Sequence, residues 1–469
     1  MSHLAPHLRR AVAFTFAAGL LAQAPVVPPP APATVTLTDD GAYCWYQDPR
    51  AIVDPATPGG PTVLVSSVAF LAGRRGDLDV HWHQPATKSG GSFVLHKALE
   101  ADDHAAAALC QRPDGRYLAV YCQHGRDQLV RWRVSERPHD ASAWREEQSL
   151  RANARVTYSN LFWLEDAAGD VRLFDFARAD GFDPNWFVSD DAGDAFRYGG
   201  KLHTGPGGND ATRQRPYVRY AANGTAALHF VTTDGHPRDE DNSVYHGVLR
   251  RGVLSGSDGE ELGRLSTGPT SDQRANDFTV VLRAGDAVQG TGMRHAWTLD
   301  LRVDAAGQPR AALLARADGD DHDHRFLYAR RDGDEWRVRQ LCRAGAFLYA
   351  AENDYTGLVA LHAHDPDVVV VSTPIDPRDD QPLAHYELFL GRTADAGASW
   401  TWSPLTWASE VDNLRPLLPD AGPQQTVLLW LRGRVRTYTD WQASVVGRFV
   451  ATAELASLSV PGQVPRRRP

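Results

Sequence analysis

Seven times along the chain, a polar turn rich in Asp, Asn or Gly runs directly into a strongly apolar stretch. The copies are DPATPGGPTVLVSS from Asp54, RPDGRYLAVY from Arg112, EDAAGDVRLFDF from Glu165 and AANGTAALHFV from Ala221. VDAAGQPRAALLA from Val303, HDPDVVVVST from His364 and DAGPQQTVLLWL from Asp420 complete the set. Most copies start about 50 to 60 residues apart, and the one longer interval holds an insertion near Arg250 to Gly290. Between the copies, short runs of Val, Leu, Tyr, Phe and Trp are divided by Gly, Pro, Asp and Asn, with almost no helical periodicity after Thr34. That is the strand-and-turn pattern of an all-β chain. A repeat of about 40–50 residues that holds about four strands marks a propeller blade. The expected fold is therefore all-β, a seven-bladed β-propeller of four-stranded antiparallel blades.

Within the second repeat, Asp102 to Gly125 (DDHAAAALCQRPDGRYLAVYCQHG) reads as a hairpin. Pro presets φ and Gly supplies the left-handed position, so Pro113–Arg116 is the turn between the runs Ala105–Cys110 and Tyr117–Cys122. His104 enters the first strand and His124 leaves the second, so antiparallel pairing brings the two imidazoles to one rim of the sheet. They read either as a catalytic pair or as two solvated strand-end side chains.

The ends of the chain carry other signals. His7, Arg9 and Arg10 precede an apolar run from Ala11 to Leu21, followed by the small-residue site Ala22-Gln23-Ala24 and a Pro/Ala stretch to Ala33. Such a run is too short to span a bilayer and has the form of a secretory leader. The domain reading is thus a signal peptide and Pro/Ala spacer over 1–33, a propeller over 34–460 and a disordered basic tail over 461–469. A secreted or periplasmic protein is expected, without a membrane span and as a monomer. A formal charge of −9 argues against a nucleic-acid partner, which calls for a basic surface. Four cysteines are too few for a disulfide framework, and centring the hairpin on Asp114–Gly115 does not set Cys110 opposite Cys122, so no bridge is expected there.

Thr393-Ala-Asp-Ala-Gly-Ala-Ser-Trp400 matches the Asp-box pattern, and Ser189-Asp-Asp-Ala-Gly-Asp-Ala-Phe196 is a copy with Phe in place of Trp. Both belong in outer hairpin turns of blades and carry no chemistry. A wider set of motifs carries a family resemblance. It includes Gly41-Ala-Tyr-Cys-Trp-Tyr-Gln-Asp-Pro-Arg-Ala51, Asp102-Asp-His104, Thr157-Tyr-Ser-Asn160, Arg215-Pro-Tyr-Val-Arg-Tyr220 and Asp234-Gly-His-Pro-Arg238. Asn242-Ser-Val-Tyr-His246, Asp354-Tyr-Thr-Gly357, Asp412-Asn-Leu-Arg-Pro416 and Tyr438-Thr-Asp440 continue it. In this order, across nearly the whole chain after the leader, they resemble BNR-repeat proteins related to the propeller-type ulvan lyases.

The resemblance implies cleavage of an acidic, uronate-containing polysaccharide by β-elimination, with no cofactor required. That chemistry needs a cation to neutralise the C6 carboxylate, a base for the C5 proton and an acid for the O4 leaving group. Histidine, with an ordinary pKa of ~6.5, suits proton transfer near neutral pH, and the arginine fork suits a carboxylate. By resemblance, His104 and His124 match the histidine pair and Tyr158 the tyrosine. Arg178 is preferred as the arginine, with Arg215 next. His104 is the expected base and Tyr158 its acid partner, with the two roles exchangeable, while His124 and the arginine bind the carboxylate. Arg215, Tyr217, Arg50 and Tyr245 are further expected substrate contacts.

His236 and His246 flank another hairpin turn and offer ligands for a structural zinc or calcium, with Cys342, His203 or His324 as a third. An ordinary hydrogen-bonded turn is the simpler account of them, as a solvated loop is of the acidic run Asp318–His324. Two other functions stay open on the sequence. A sialidase-type hydrolase would need three arginines, a Tyr/Glu pair and an early Arg-Ile-Pro motif, and Asp48-Pro-Arg-Ala51 has the wrong order. A non-catalytic propeller would use the same residues merely to hold glycan.

Overall fold

The computed structural model describes Met1 and residues 33–210 and 215–458. The proposed leader and basic tail lie outside the described residues. Seven antiparallel sheets follow one another along the chain, each a propeller blade. Each sequence repeat is the turn between a blade's innermost strand and its second strand: Ala51–Asp54 to Thr62–Val68, Ala108–Gln111 to Tyr117–Tyr121, and Leu161–Glu165 to Val171–Arg178 open the series. The second strands are the most completely buried, because both of their faces meet neighbouring blades; Thr62–Val68, Ala227–Thr233 and Pro309–Ala317 are buried at every position. This is why the apolar runs are continuous rather than alternating.

The last blade is closed by the start of the chain. Val35–Thr38 pairs with Asp440–Ala451 as the outer strand of the sheet whose inner strands are Asp412–Leu417 and Gln425–Thr437. Three blades elaborate the four-stranded plan. The outer strand of the second is split into Asp140–Trp144 and Gln148–Arg151. The long insertion gives the fourth blade Val253–Ser255, Glu261–Arg264 and Thr279–Leu282 in place of one outer strand. The fifth gains the short Ala287–Val288. No described helix is long and apolar enough to cross a membrane.

Both Asp boxes lie between third and fourth strands. Asp395 accepts from Thr393 Oγ1 at 2.8 Å and Ser399 N at 2.8 Å, and Asp191 repeats this with Ser189 Oγ at 2.7 Å and Ala195 N at 2.9 Å. The aromatic residue of each box packs on the preceding blade, Phe196 edge-on to Trp132 at 5.1 Å and Trp400 edge-on to Tyr328 at 5.4 Å. The four cysteines are free and buried, and Cys110 stands opposite Leu118.

The centre is not left open. Ala42 to Gln47 is buried throughout and occupies the space where the blades converge. Its carbonyls are met by buried arginines from the inner strands: Arg415 donates to Tyr43 O at 2.6 Å, Arg219 to Trp45 O, and Arg50 returns to Cys44 O at 3.2 Å. Arg415 and Arg219 also pair with Asp103 and Asp48. At the far mouth the repeated turns of the first and the fourth to seventh blades, together with Gln111 and Phe162, surround a cavity of about 880 Å³ that Asp48, Asp300, Asp304 and His364 also line. Removing one partner of a buried ion pair strands the other charge. Arg415→Ala should therefore lower unfolding stability by about 3–5 kcal/mol, read as a drop in urea midpoint at unchanged m-value.

Candidate active site

At the mouth opposite that cavity, the residues that precede the inner strands come together. The first strand of the hairpin starts at Ala108, later than the apolar run suggested, because Asp102 caps a short 3-10 turn over Asp103–Ala105. His104 is carried on that turn. Asp102 Oδ1 accepts from His104 N at 3.0 Å and bonds Nδ1 at 2.7 Å, while Oδ2 bonds His124 Nδ1 at 2.9 Å. One carboxylate thus aligns both imidazoles, which stack face to face with centroids 4.1 Å apart and planes 4° apart.

The second nitrogens face two tyrosines. His124 Nε2 lies 3.1 Å from the Tyr158 hydroxyl, and His104 Nε2 lies 3.2 Å from the Tyr355 hydroxyl. Tyr438 stands edge-on to both rings, at 5.1 and 5.8 Å. Arg178 lies over the rings of Tyr158 and Tyr217 at 4.6 and 4.8 Å. Among the described residues, its Nε and Nη1 are buried with no hydrogen-bond partner.

These environments divide the two histidines. Burial opposes charge on His104, but Cys44, Tyr158, Tyr355 and Asp102 outweigh it and hold its pKa well above the ordinary value. Burial, together with the neighbouring charge of His104, pushes His124 down to about 4, against the pull of Asp102. The two shifts run in opposite directions, His104 up and His124 down, so a proton shared by the pair is favoured on His104. With its Nδ1–H given to Asp102, the neutral His124 accepts the Tyr158 proton at Nε2. Burial and Tyr217 raise the Tyr158 pKa well above its ordinary value despite His104 and Arg178, so the phenol keeps its proton.

The two imidazoles meet on one rim as expected, but the reading of both as solvated strand-end side chains fails for His104. His104 is 1 % exposed, beneath His124, Tyr355 and Tyr438, whereas the His124 side chain is 23 % exposed. Tyr217 joins the cluster, 6.1 Å from Tyr158. Arg215 does not; it lies toward the rim, paired with Asp239 at 3.2 Å. Arg50 is buried in the central segment, spent on Cys44 O and Asp48. Tyr245 is buried on the strand Val244–Arg250 in the core between the third and fourth blades.

His236 and His246 are not brought together. His236 lies 3.4 Å from the Tyr217 hydroxyl, while His246, in mid-strand, bonds His229 at 3.2 Å and Ser257 at 2.7 Å. Their suggested third ligands are also engaged elsewhere: His203 with Thr204 O, His324 with Asp354, and Cys342 within the fifth sheet. Among the described residues, the groups close enough to share a cation are Cys44, Asp103 and His104, and Asp102, His104 and His124.

Sequence reasoning gave no role to Asp102, Tyr355 or Tyr438. Asp102 had a local signal, two positions before His104. Tyr355 and Tyr438 come from the sixth and seventh repeats, and only ring closure makes them neighbours of the second.

Residues 74–344 match the model of the BNR repeat-containing family. The chain belongs to that family. None of the curated proteins matches it in sequence. Among solved structures, the BNR-repeat chain is similar to a polysaccharide lyase, an ulvan lyase, bound to -[GlcA(1-4)Rha3S]-. The TM-score is 0.62 at 16 % identity, covering 91 % of this chain and 100 % of that one. A second ulvan lyase structure gives a TM-score of 0.61 at 16 % identity with the same coverage. At this identity the likeness establishes the fold.

The charge division has a direct test. In ring-nitrogen NMR of the folded protein, His124 should stay neutral down to about pH 4. His104→Gln removes the neighbouring cation, so the His124 midpoint should rise toward its ordinary value of ~6.5.

Proposed function

We propose that this protein is a polysaccharide lyase that cleaves uronate-containing, ulvan-like polysaccharide by β-elimination. The observation that carries the reading is Arg178: a guanidinium with two buried, unpartnered nitrogens, set beside a hydrogen-bonded His124–Tyr158 pair. A half-buried cation that has no carboxylate of its own among the described residues is suited to one that the substrate brings. A uronate bound there would have its C6 carboxylate neutralised by Arg178, which makes the C5 proton more acidic.

The proton-transfer roles follow from the charge states. His104 is already charged and has no exposed face, so the base is His124, whose Nε2 lone pair is free once the Tyr158 hydroxyl turns to the substrate. His124 takes the C5 proton, the electron pair forms the C4–C5 double bond, and the C4–O4 bond breaks. Tyr158, which holds its proton, donates it to the departing O4. His104 stabilises the arrangement through Asp102 and the stacked ring, and its charge is available to the enolate-like transition state. A sialidase-type hydrolysis would call for three arginines about the carboxylate, where this cluster of His124, Tyr158 and Arg178 supplies one. The leader-like start of the sequence supports a secreted or periplasmic enzyme working on an extracellular glycan.

The test is to incubate the purified protein with ulvan and other uronate glycans and follow the ultraviolet absorbance of the unsaturated product. On a substrate the parent cleaves, His124→Ala and Tyr158→Phe should each lower turnover by at least about 10²-fold, within the 10²–10⁴ range of positioned acid–base groups. Arg178→Ala should be equally severe, because carboxylate neutralisation matters most as charge develops. Activity should fall as the pH drops toward about 4, where His124 gains its proton. Circular dichroism controls for folding. Near-parent rates in folded His124→Ala and Tyr158→Phe proteins would overturn the reading.

A further inference from the structure

Tyr158 holds its place against its own backbone preference. Its φ is +64°, in the left-handed region that a bulky side chain rarely enters and that persists only where the surroundings over-determine it. Two anchors flank it. On one side, Thr157 exchanges both backbone hydrogen bonds with Arg178, at 2.9 Å each. On the other stands Asp175, a fully buried carboxyl on the second strand of the blade that takes no part in the reaction proposed above.

Asp175 Oδ1 accepts from Asn160 N at 2.9 Å, and Oδ2 accepts from Ser159 Oγ at 3.2 Å. Asn160 then donates through Nδ2 to Tyr158 O at 2.7 Å and to Phe176 O at 3.0 Å. Ser159 Oγ also lies 3.5 Å from Cys122 Sγ, two residues before His124. Among the described residues, Asp175 forms no ion pair. Burial, opposed by its two hydrogen bonds, pushes its pKa up to about 7, so the site tolerates it without a counter-ion.

We propose that Asp175 is a positioning residue: through Ser159 and Asn160 it holds Tyr158 in the left-handed conformation that lays its hydroxyl on His124. It touches no reacting atom. Its effect on turnover rests on the lyase reading, whereas its effect on the Tyr158–His124 contact does not. The carboxyl requires acceptor geometry at Oδ1 and contact at Oδ2, both of which an amide reproduces with Ser159 as acceptor. A methyl group reproduces neither.

The experiment compares the parent with Asp175→Ala, Asp175→Asn and Tyr158→Phe. The first readout is the ring-nitrogen NMR of His124. Asp175→Ala should move its Nε2 signal to the position seen in Tyr158→Phe, while Asp175→Asn stays close to the parent. The second is kinetics on a glycan the parent cleaves. Asp175→Ala should lower kcat by at least about tenfold with KM within about twofold, the pattern of a misplaced catalytic group, and Asp175→Asn should restore most of it. A folded Asp175→Ala protein with parent His124 signals would overturn the proposal, as would equal losses in the Ala and Asn variants. Should Asp175→Ala not fold, Ser159→Ala removes the Oδ2 link alone; it should shift the His124 signal part of the way, and a parent-like signal would count against the proposal. If the parent cleaves no uronate glycan, the lyase reading fails while the NMR comparison still decides the role of Asp175.

Discussion

Seven sheets converging on an axis leave a channel, and the way this chain fills it governs the site. The segment from Ala42 to Gln47 is irregular backbone in a fully buried setting, where unpaired carbonyls are costly. Cations answer them: Arg415 for Tyr43, Arg219 for Trp45 and Arg50 for Cys44. The same segment supplies the floor of the site. Tyr46 packs 4.5 Å from Tyr217 and 5.5 Å from Tyr158, Trp45 packs 4.7 Å from Tyr355, and Gln47 donates to the carbonyl of His104. Arg415, which secures the segment, is also the partner of Asp103 beside His104. Closing the channel and building the site are one structural act.

Above that floor the charges do not cancel. Asp102 balances the proton on His104, and Asp103 balances Arg415, while His124 is neutral. Arg178 is left over. An aromatic cradle from Tyr158 and Tyr217 holds it without neutralising it, since a ring face attracts a cation but carries no net charge. The site therefore carries a positive charge on a half-buried arginine, beside a base and an acid already aligned. That combination favours an anionic substrate whose charge shifts during reaction.

Much of the architecture was legible, because the repeat is a physical necessity of the blade. A second strand buried on both faces must be apolar, and the turn before it must reverse the chain tightly, so each of the seven repeats declares itself locally. The meeting of His104 with His124 was legible for the same reason, being set by one hairpin. The burial of His104 was not. It depends on Tyr355 and Tyr438, which arrive from the other side of the ring, and on a cap by Asp102 that turns the residue off the strand. Arg50 illustrates the opposite error: an arginine at the end of a family-like motif reads as a ligand for substrate, yet the channel demands it for a carbonyl. His236 and His246 look paired along the chain, but one lies at a blade's end and the other in mid-strand. Tyr245 fails likewise, since burial between blades cannot be told from exposure at the mouth by a tyrosine's position alone.

The account stands or falls on bond cleavage by elimination at this site. Its most direct measurement is digestion of a uronate glycan in water enriched in heavy oxygen, with mass spectrometry of the new chain ends. The account predicts unsaturated uronate ends that carry no heavy oxygen and are lighter by one water than a hydrolysis product. Saturated ends that have taken up the label would contradict it.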